Sequence, residues 1–205
     1  MKEIKIGKQI WMGENLNVDK FRNGDDMLYA QNSDQWKQAI ADCKAAWCYY
    51  DFDQKNGEIY GKLYNGFAVL DARSLAPEGW KIPSDKEWAI LIKKLGGYKK
   101  AGSILKSTDR WITPDKIQFP YLTEDSYGKP ANGSDDKGFK ALPSGKINYK
   151  GEFSYLGHFA TWWSDTIVFG DNIMYHQIGY YGSADVERTN AFKSDGFAVR
   201  CLKIE

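Results

Sequence analysis

Two histidines, three cysteines and two short runs of Asp and Asn are the side chains here whose types could support catalysis or hold a metal. His158 and His176 lie far apart, and no Gly-x-Ser-x-Gly elbow accompanies either. Cys43, Cys48 and Cys201 contain no CxxC pair, so a zinc site is not expected. Cys43 and Cys48 pair if the chain turns between them, leaving Cys201 as a buried thiol; otherwise all three stay reduced. The stretch Gly57 to Lys62 is one residue short of a phosphate loop and is followed by Leu63 where Ser or Thr is required. Adjacent acids at Asp25-Asp26 and Asp135-Asp136 read as solvated loop residues. No catalytic residue is assigned, and the chain is read as a non-enzyme. Asp51, Asp53 and Asn56 offer hard oxygens for calcium, as do Asn132, Ser134, Asp135 and Asp136. The spacing is not that of an EF-hand, because Gly57 falls one place late and no Glu closes the loop. The alternative is a pair of polar turns whose side chains cap their own backbone. A structural calcium therefore stays open, and no other cofactor is expected.

Aromatic residues carry the stronger signal. They make up 15% of the chain and crowd the stretch from Tyr149 to Tyr181. Flat rings stack on sugars and dominate protein interfaces, but they also fill cores. Alternation along a strand that places Ile173 and Tyr175 inward sends Met174 and His176 outward. Trp163 is expected in the core. The candidate ligand-binding residues are His176, Tyr180, Tyr181, Asp185, Glu187 and Arg188.

The elements that must position them are readable in part. Ile4 to Met12 alternates like a strand or hairpin. Ser33 or Asp34 caps a helix with Trp36, Ala39, Ile40 and Cys43 on one face. Trp47 to Phe52 reads as extended, Asp51 to Gly57 as a loop, Ile59 to Tyr64 as a strand and Phe67 to Leu75 as a short helix. Ser84 and Glu87 have capping-box spacing, Trp88, Leu91, Ile92 and Leu95 make one apolar stripe, and Gly96 stops the helix. Turn signals then recur, and strands are expected at Phe159–Trp163, Asn172–Tyr181 and Gly196–Leu202. This is one α+β domain over residues 1–205. With 28 basic against 27 acidic residues, neither nucleic acid nor an anionic membrane is an expected partner. No apolar run is long enough for membrane insertion, and no signal peptide is visible at the N-terminus.

Several stretches in order resemble the Fibrobacter succinogenes major paralogous domain. They are Gly7-Lys-Gln-Ile-Trp-Met-Gly-Glu-Asn-Leu-Asn17, Tyr60-Gly-Lys-Leu-Tyr64, Ala76-Pro-Glu-Gly-Trp-Lys-Ile-Pro-Ser-Asp-Lys-Glu-Trp88, Gly138-Phe-Lys-Ala-Leu-Pro-Ser-Gly145, Trp162-Trp-Ser164 and Gly196-Phe-Ala-Val-Arg-Cys201. The resemblance implies a C-type-lectin-like fold: two main helices flanking a small twisted antiparallel sheet, with paired terminal strands and long loops. It is related to the formylglycine-generating-enzyme group and to retroelement variable proteins, including phage receptor-binding proteins. It implies an extracellular, cell-surface or virion setting and a recognition face over about 163–195, where those relatives diversify. The ligand would be a glycan or a protein on another cell. A structural subunit of a surface appendage or phage virion is the alternative. An enzyme of the formylglycine-generating type fits less well, since no copper-binding cysteine pair occurs near Trp163 to Asp195.

Overall fold

The computed structural model describes residues 2–113, 115–116, 131–179 and 185–204. Along the chain run strands β1 (Glu3–Ile6), β2 (Gln9–Met12) and β3 (Leu28–Tyr29), helix α1 (Ser33–Ala41), β4 (Ala46–Cys48), α2 (Gln54–Tyr60), β5 (Leu63–Asn65), α3 (Gly66–Val69), β6 (Trp80–Lys81), α4 (Asp85–Lys94) and α5 (Ala101–Leu105). Strands β7 (Ser144–Ile147), β8 (Phe153–Leu156), β9 (Phe159–Ile167), β10 (Asn172–Gly179), β11 (Val186–Phe192), β12 (Gly196–Phe197) and β13 (Leu202–Lys203) complete it. The architecture is α+β. Among the described residues the strands form three sheets, ordered β1-β2-β13-β6, β3-β4-β5-β12-β7-β8 and β11-β10-β9. Pairing is antiparallel except between β3 and β4. The terminal strands meet as expected, Leu202 of β13 standing opposite Trp11 of β2.

Strands β9 and β10 are covered on both faces. Trp162 and Trp163 are consecutive on β9, so they face opposite ways. Trp162 packs with Trp88, Trp11 and Phe139 under α4. Trp163 packs with Tyr175 and Phe197 toward β5 and β12. Each indole finds an acceptor: Trp162 Nε1 donates to Asn15 Oδ1 at 2.9 Å and Trp163 Nε1 to the Tyr64 carbonyl at 2.8 Å. A third cluster, with Trp36, Ala39, Leu63 and Ile147, lies under α1.

Helix α4 forms as its sequence dictates. The Ser84 hydroxyl accepts from Glu87 N, and the Glu87 carboxylate accepts from Ser84 N at 2.8 Å. Trp88, Leu91 and Ile92 are buried, and Gly96 and Gly97 leave the helix at φ +94° and +90°.

Elsewhere the structure departs from expectation. The N-cap of α1 is Asn32, whose Oδ1 accepts from Gln35 N at 2.9 Å, not Ser33 or Asp34. Cys43 lies beyond the helix at φ +51°, exposed and off the apolar face. Cys48 is buried in β4, so these two do not pair and all three thiols are free. Residues 54–60, expected partly as loop and partly as strand, form α2, and β5 starts only at Leu63. The oxygens considered for calcium serve local structure: Asp53 caps α2 through Lys55 N, Asn132 accepts from Trp111 N, and Asp135 accepts from Lys140 N.

Candidate functional site

Strand β11 is the outer strand of its sheet, and Glu187, Arg188, Thr189 and Asn190 are exposed in succession. Behind it β10 is covered on both faces, which gives the outer strand a fixed backing. Its register is set by Val186, buried in the α4 core, whose N–H donates to the Tyr98 carbonyl at 2.8 Å.

Arg188 is anchored by a fork. Its Nε and Nη2 donate to the two carboxylate oxygens of Asp85 at 2.6 and 2.7 Å. Asp85 is the first residue of α4, where the helix dipole favours a negative charge. The Arg188 hydrogen bonds hold the Asp85 carboxyl below the usual carboxylate range despite partial burial. The same bonds raise Arg188.

His176 is not on the surface. The alternation argument assumed a sheet with one wet face, but β10 is the central strand and both its faces are covered, so Met174 and His176 are as buried as Ile173. The imidazole stacks on Trp88, with ring centroids 5.2 Å apart and planes 22° apart. Its Nε2 lies 3.2 Å from Asp85 Oδ1. Burial pushes its pKa down to about 4, the Asp85 carboxylate opposing, so the ring is neutral at pH 7. A carboxylate beside an imidazole suits general-base chemistry, but here the ring is sealed from solvent and no substrate atom can reach it. The pair ties β10 and β11 to the start of α4.

Of the other expected site residues, Glu187 is exposed and its carboxylate accepts from the Gln177 amide across the strand pair. Asp185 is half-buried and pairs with Lys99 Nζ at 2.6 Å. Tyr180 and Tyr181 lie outside the described residues. Trp163 is in the core, as expected. Sequence reading missed Asp85, Tyr98 and Lys99. Asp85 stands within the capping-box sequence, where an acid in the first turn is already explained by the dipole. Tyr98 and Lys99 follow the Gly96-Gly97 stop, and nothing local reveals that they meet β11.

The Fibrobacter succinogenes major domain matches residues 4–203, nearly the whole chain, and the chain belongs to that family. No curated protein and no solved structure matches it.

Proposed function

We propose that this member of the Fibrobacter succinogenes major domain family is a non-enzymatic recognition module, of C-type-lectin-like fold, on a cell surface or virion. The binding surface is the exposed outer strand β11, Glu187 to Asn190. The observation that carries the reading is the pairing of four consecutive exposed residues, Glu187 to Asn190, with a strand behind them buried on both faces. Such a surface can change its side chains without disturbing the core, which is how rigid scaffolds separate recognition from stability. Glu187 to Asn190 are polar or charged and include no ring to stack on a sugar, which favours a protein ligand over a glycan. The two buried thiols support a reading without enzymatic chemistry: burial pushes Cys201 up to about 12 and raises Cys48 well above its ordinary value, so neither is a nucleophile or a ready copper ligand at neutral pH.

The test is a glycan array with and without calcium, run beside a panel of displayed surface proteins from candidate host cells. Selective binding of a protein, lost in a Glu187→Lys/Thr189→Arg variant that keeps the native melting curve, supports the reading. Binding that survives both changes moves the site elsewhere. Turnover of any bound molecule ends the non-enzymatic account.

A further inference from the structure

The margins of the three sheets differ. Among the described residues, four of the outer strands are short: β1 and β8 have four residues each, β3 and β6 two. Outer strand β9 has nine, but its far side is engaged: Trp163 N donates to the Ala198 carbonyl at 3.2 Å and Asp165 N to the Pro83 carbonyl at 3.1 Å. Strand β11 has seven residues, runs in unbroken register with β10 and contains no Pro or Lys. Short strands, bulges, prolines and edge lysines keep sheet margins from pairing with another chain, and β11 has none of these. Its one cation, Arg188, is drawn to Asp85.

Backbone alternation fixes which groups of β11 point outward. In an antiparallel ladder the N–H and C=O of one residue turn to the same side, and those of the next residue to the other. Val186 N donates to the Tyr98 carbonyl, so Val186 turns away from β10. At the far end Asn172, opposite Phe192, gives its N–H to Phe169 and its carbonyl to Val168, so Phe192 also turns away from β10. The outward row between them is Arg188, Asn190 and Phe192. Among the described residues, the N–H groups of all three and the carbonyls of Arg188 and Asn190 have no partner, while the Phe192 carbonyl accepts from Asp195 N at 3.0 Å and keeps a second lone pair. Tyr98 closes the row at one end and the turn toward β12 at the other, so its midpoint is Asn190.

We infer that the chain forms a two-fold dimer by pairing β11 with β11 of a second copy, antiparallel and centred on Asn190, so that two sheets become one. The open row is symmetric about its midpoint, so an identical strand turned about a two-fold axis meets every open N–H with a carbonyl. Asn190 then faces the partner's Asn190, Arg188 the partner's Phe192 and Thr189 the partner's Ala191, with no like charges opposite. The Phe192 ring, 64% exposed in the single chain, gains a guanidinium neighbour. Centring on Arg188 or Thr189 instead would drive the partner's Asn190 or the partner's Phe192 into the place beside Val186 that Tyr98 already holds. The pairing uses the backbone margin of β11, whereas the recognition reading uses side chains on its faces; either can fail without the other.

Sedimentation equilibrium of the chain alone, from micromolar to millimolar concentration, tests it. The wild type is expected to dimerise, and Asn190→Ala to dimerise equally well, because the contact is made by backbone. Asn190→Pro removes an N–H that β10 does not use, a placement that outer strands tolerate, and melting curves check its fold. Its dissociation constant is expected to rise at least about tenfold, with the central hydrogen bonds lost on both copies. Asn190→Lys and Asn190→Asp each set like charges across the axis and should each weaken the dimer, whereas their equimolar mixture should recover it, since opposite charges face only in the mixed pair. That exchange decides the register even where the proline variant fails to fold. A wild-type monomer throughout would overturn the inference and leave the margin to a strand of some other protein. A dimer indifferent to a folded Asn190→Pro, no recovery on mixing, or masses growing past the dimer would each overturn it too.

Discussion

Two arginines in this protein are held in opposite ways. Arg200 is fully buried, its guanidinium 4.4 Å from the Phe139 ring, and its partners are uncharged: Asn15 Oδ1 at 2.7 and 3.2 Å, the Met12 carbonyl at 3.2 Å and the Phe139 carbonyl. Burial pushes its pKa down to about 9. Arg188 is half exposed and engages both oxygens of one carboxylate. The first gathers the N-terminal hairpin, the segment before β7 and the closing strand region around one planar donor group. The second pins an outer strand to a helix while its side chain stays half exposed. A charge without a counter-ion is tolerable only where several dipoles converge on it. The Arg200 region is therefore a brace for the fold, and the Arg188 region is a surface that can be altered.

The sharpest way to break that contrast is Arg200→Ala. It removes a donor from Asn15 Oδ1 and from the Met12 and Phe139 carbonyls and leaves a hole, and is expected to cost about 4 kcal/mol or more, read from urea unfolding. Arg200→Lys should not rescue it, since one ammonium cannot reach the positions a planar fork spans. A loss near 1 kcal/mol would show that the brace is dispensable.

A middle effect sits between the two regions, at His176. Its folded pKa of about 4 lies below the unfolded value of 6.5. Stability is then full above pH 6.5 and falls as the pH drops toward 4, because the unfolded chain takes up the proton and the folded one does not. The drop is about 3 kcal/mol at its limit. The groups facing the ring, Asp85 and Arg188, keep their charges over this window. Unfolding measured at several pH values should show this slope in the wild type and lose that share of it in His176→Phe.

The smallest effects belong to the outer strand. Arg188→Ala should cost no more than about 1 kcal/mol, as expected for an ion pair with one exposed partner. Thr189→Lys should stay within about 0.5 kcal/mol. Thermal melts of both variants check this. A large loss at Thr189 would mean that the strand face is structural and unsuited to variation.

How much of this was legible depended on whether the signal was local. The capping box at Ser84 and Glu87 and the stripe behind it are self-contained, so α4 reads straight from sequence. Helix α2 does not, because Gly57 weakens its local signal for a reason set outside the helix: a Cβ there would come within 2.1 Å of the Tyr49 ring. The facing of His176 was lost for a similar reason. Alternation tells which residues share a face, but only the neighbouring layers decide whether that face is wet. Glu187 and Arg188 came out exposed because no layer covers either face of β11 at these positions.

The pairing of β1, β2 and β13 has a mechanical corollary. Lys203 reaches Glu3 at 2.7 Å, so residues near the two ends touch across the sheet. A unit with entry and exit so close can be spliced into a loop of a larger polypeptide, because the host need only bridge the two strand spacings between β1 and β13. Pulled from both ends, the molecule would take the load first at that seam.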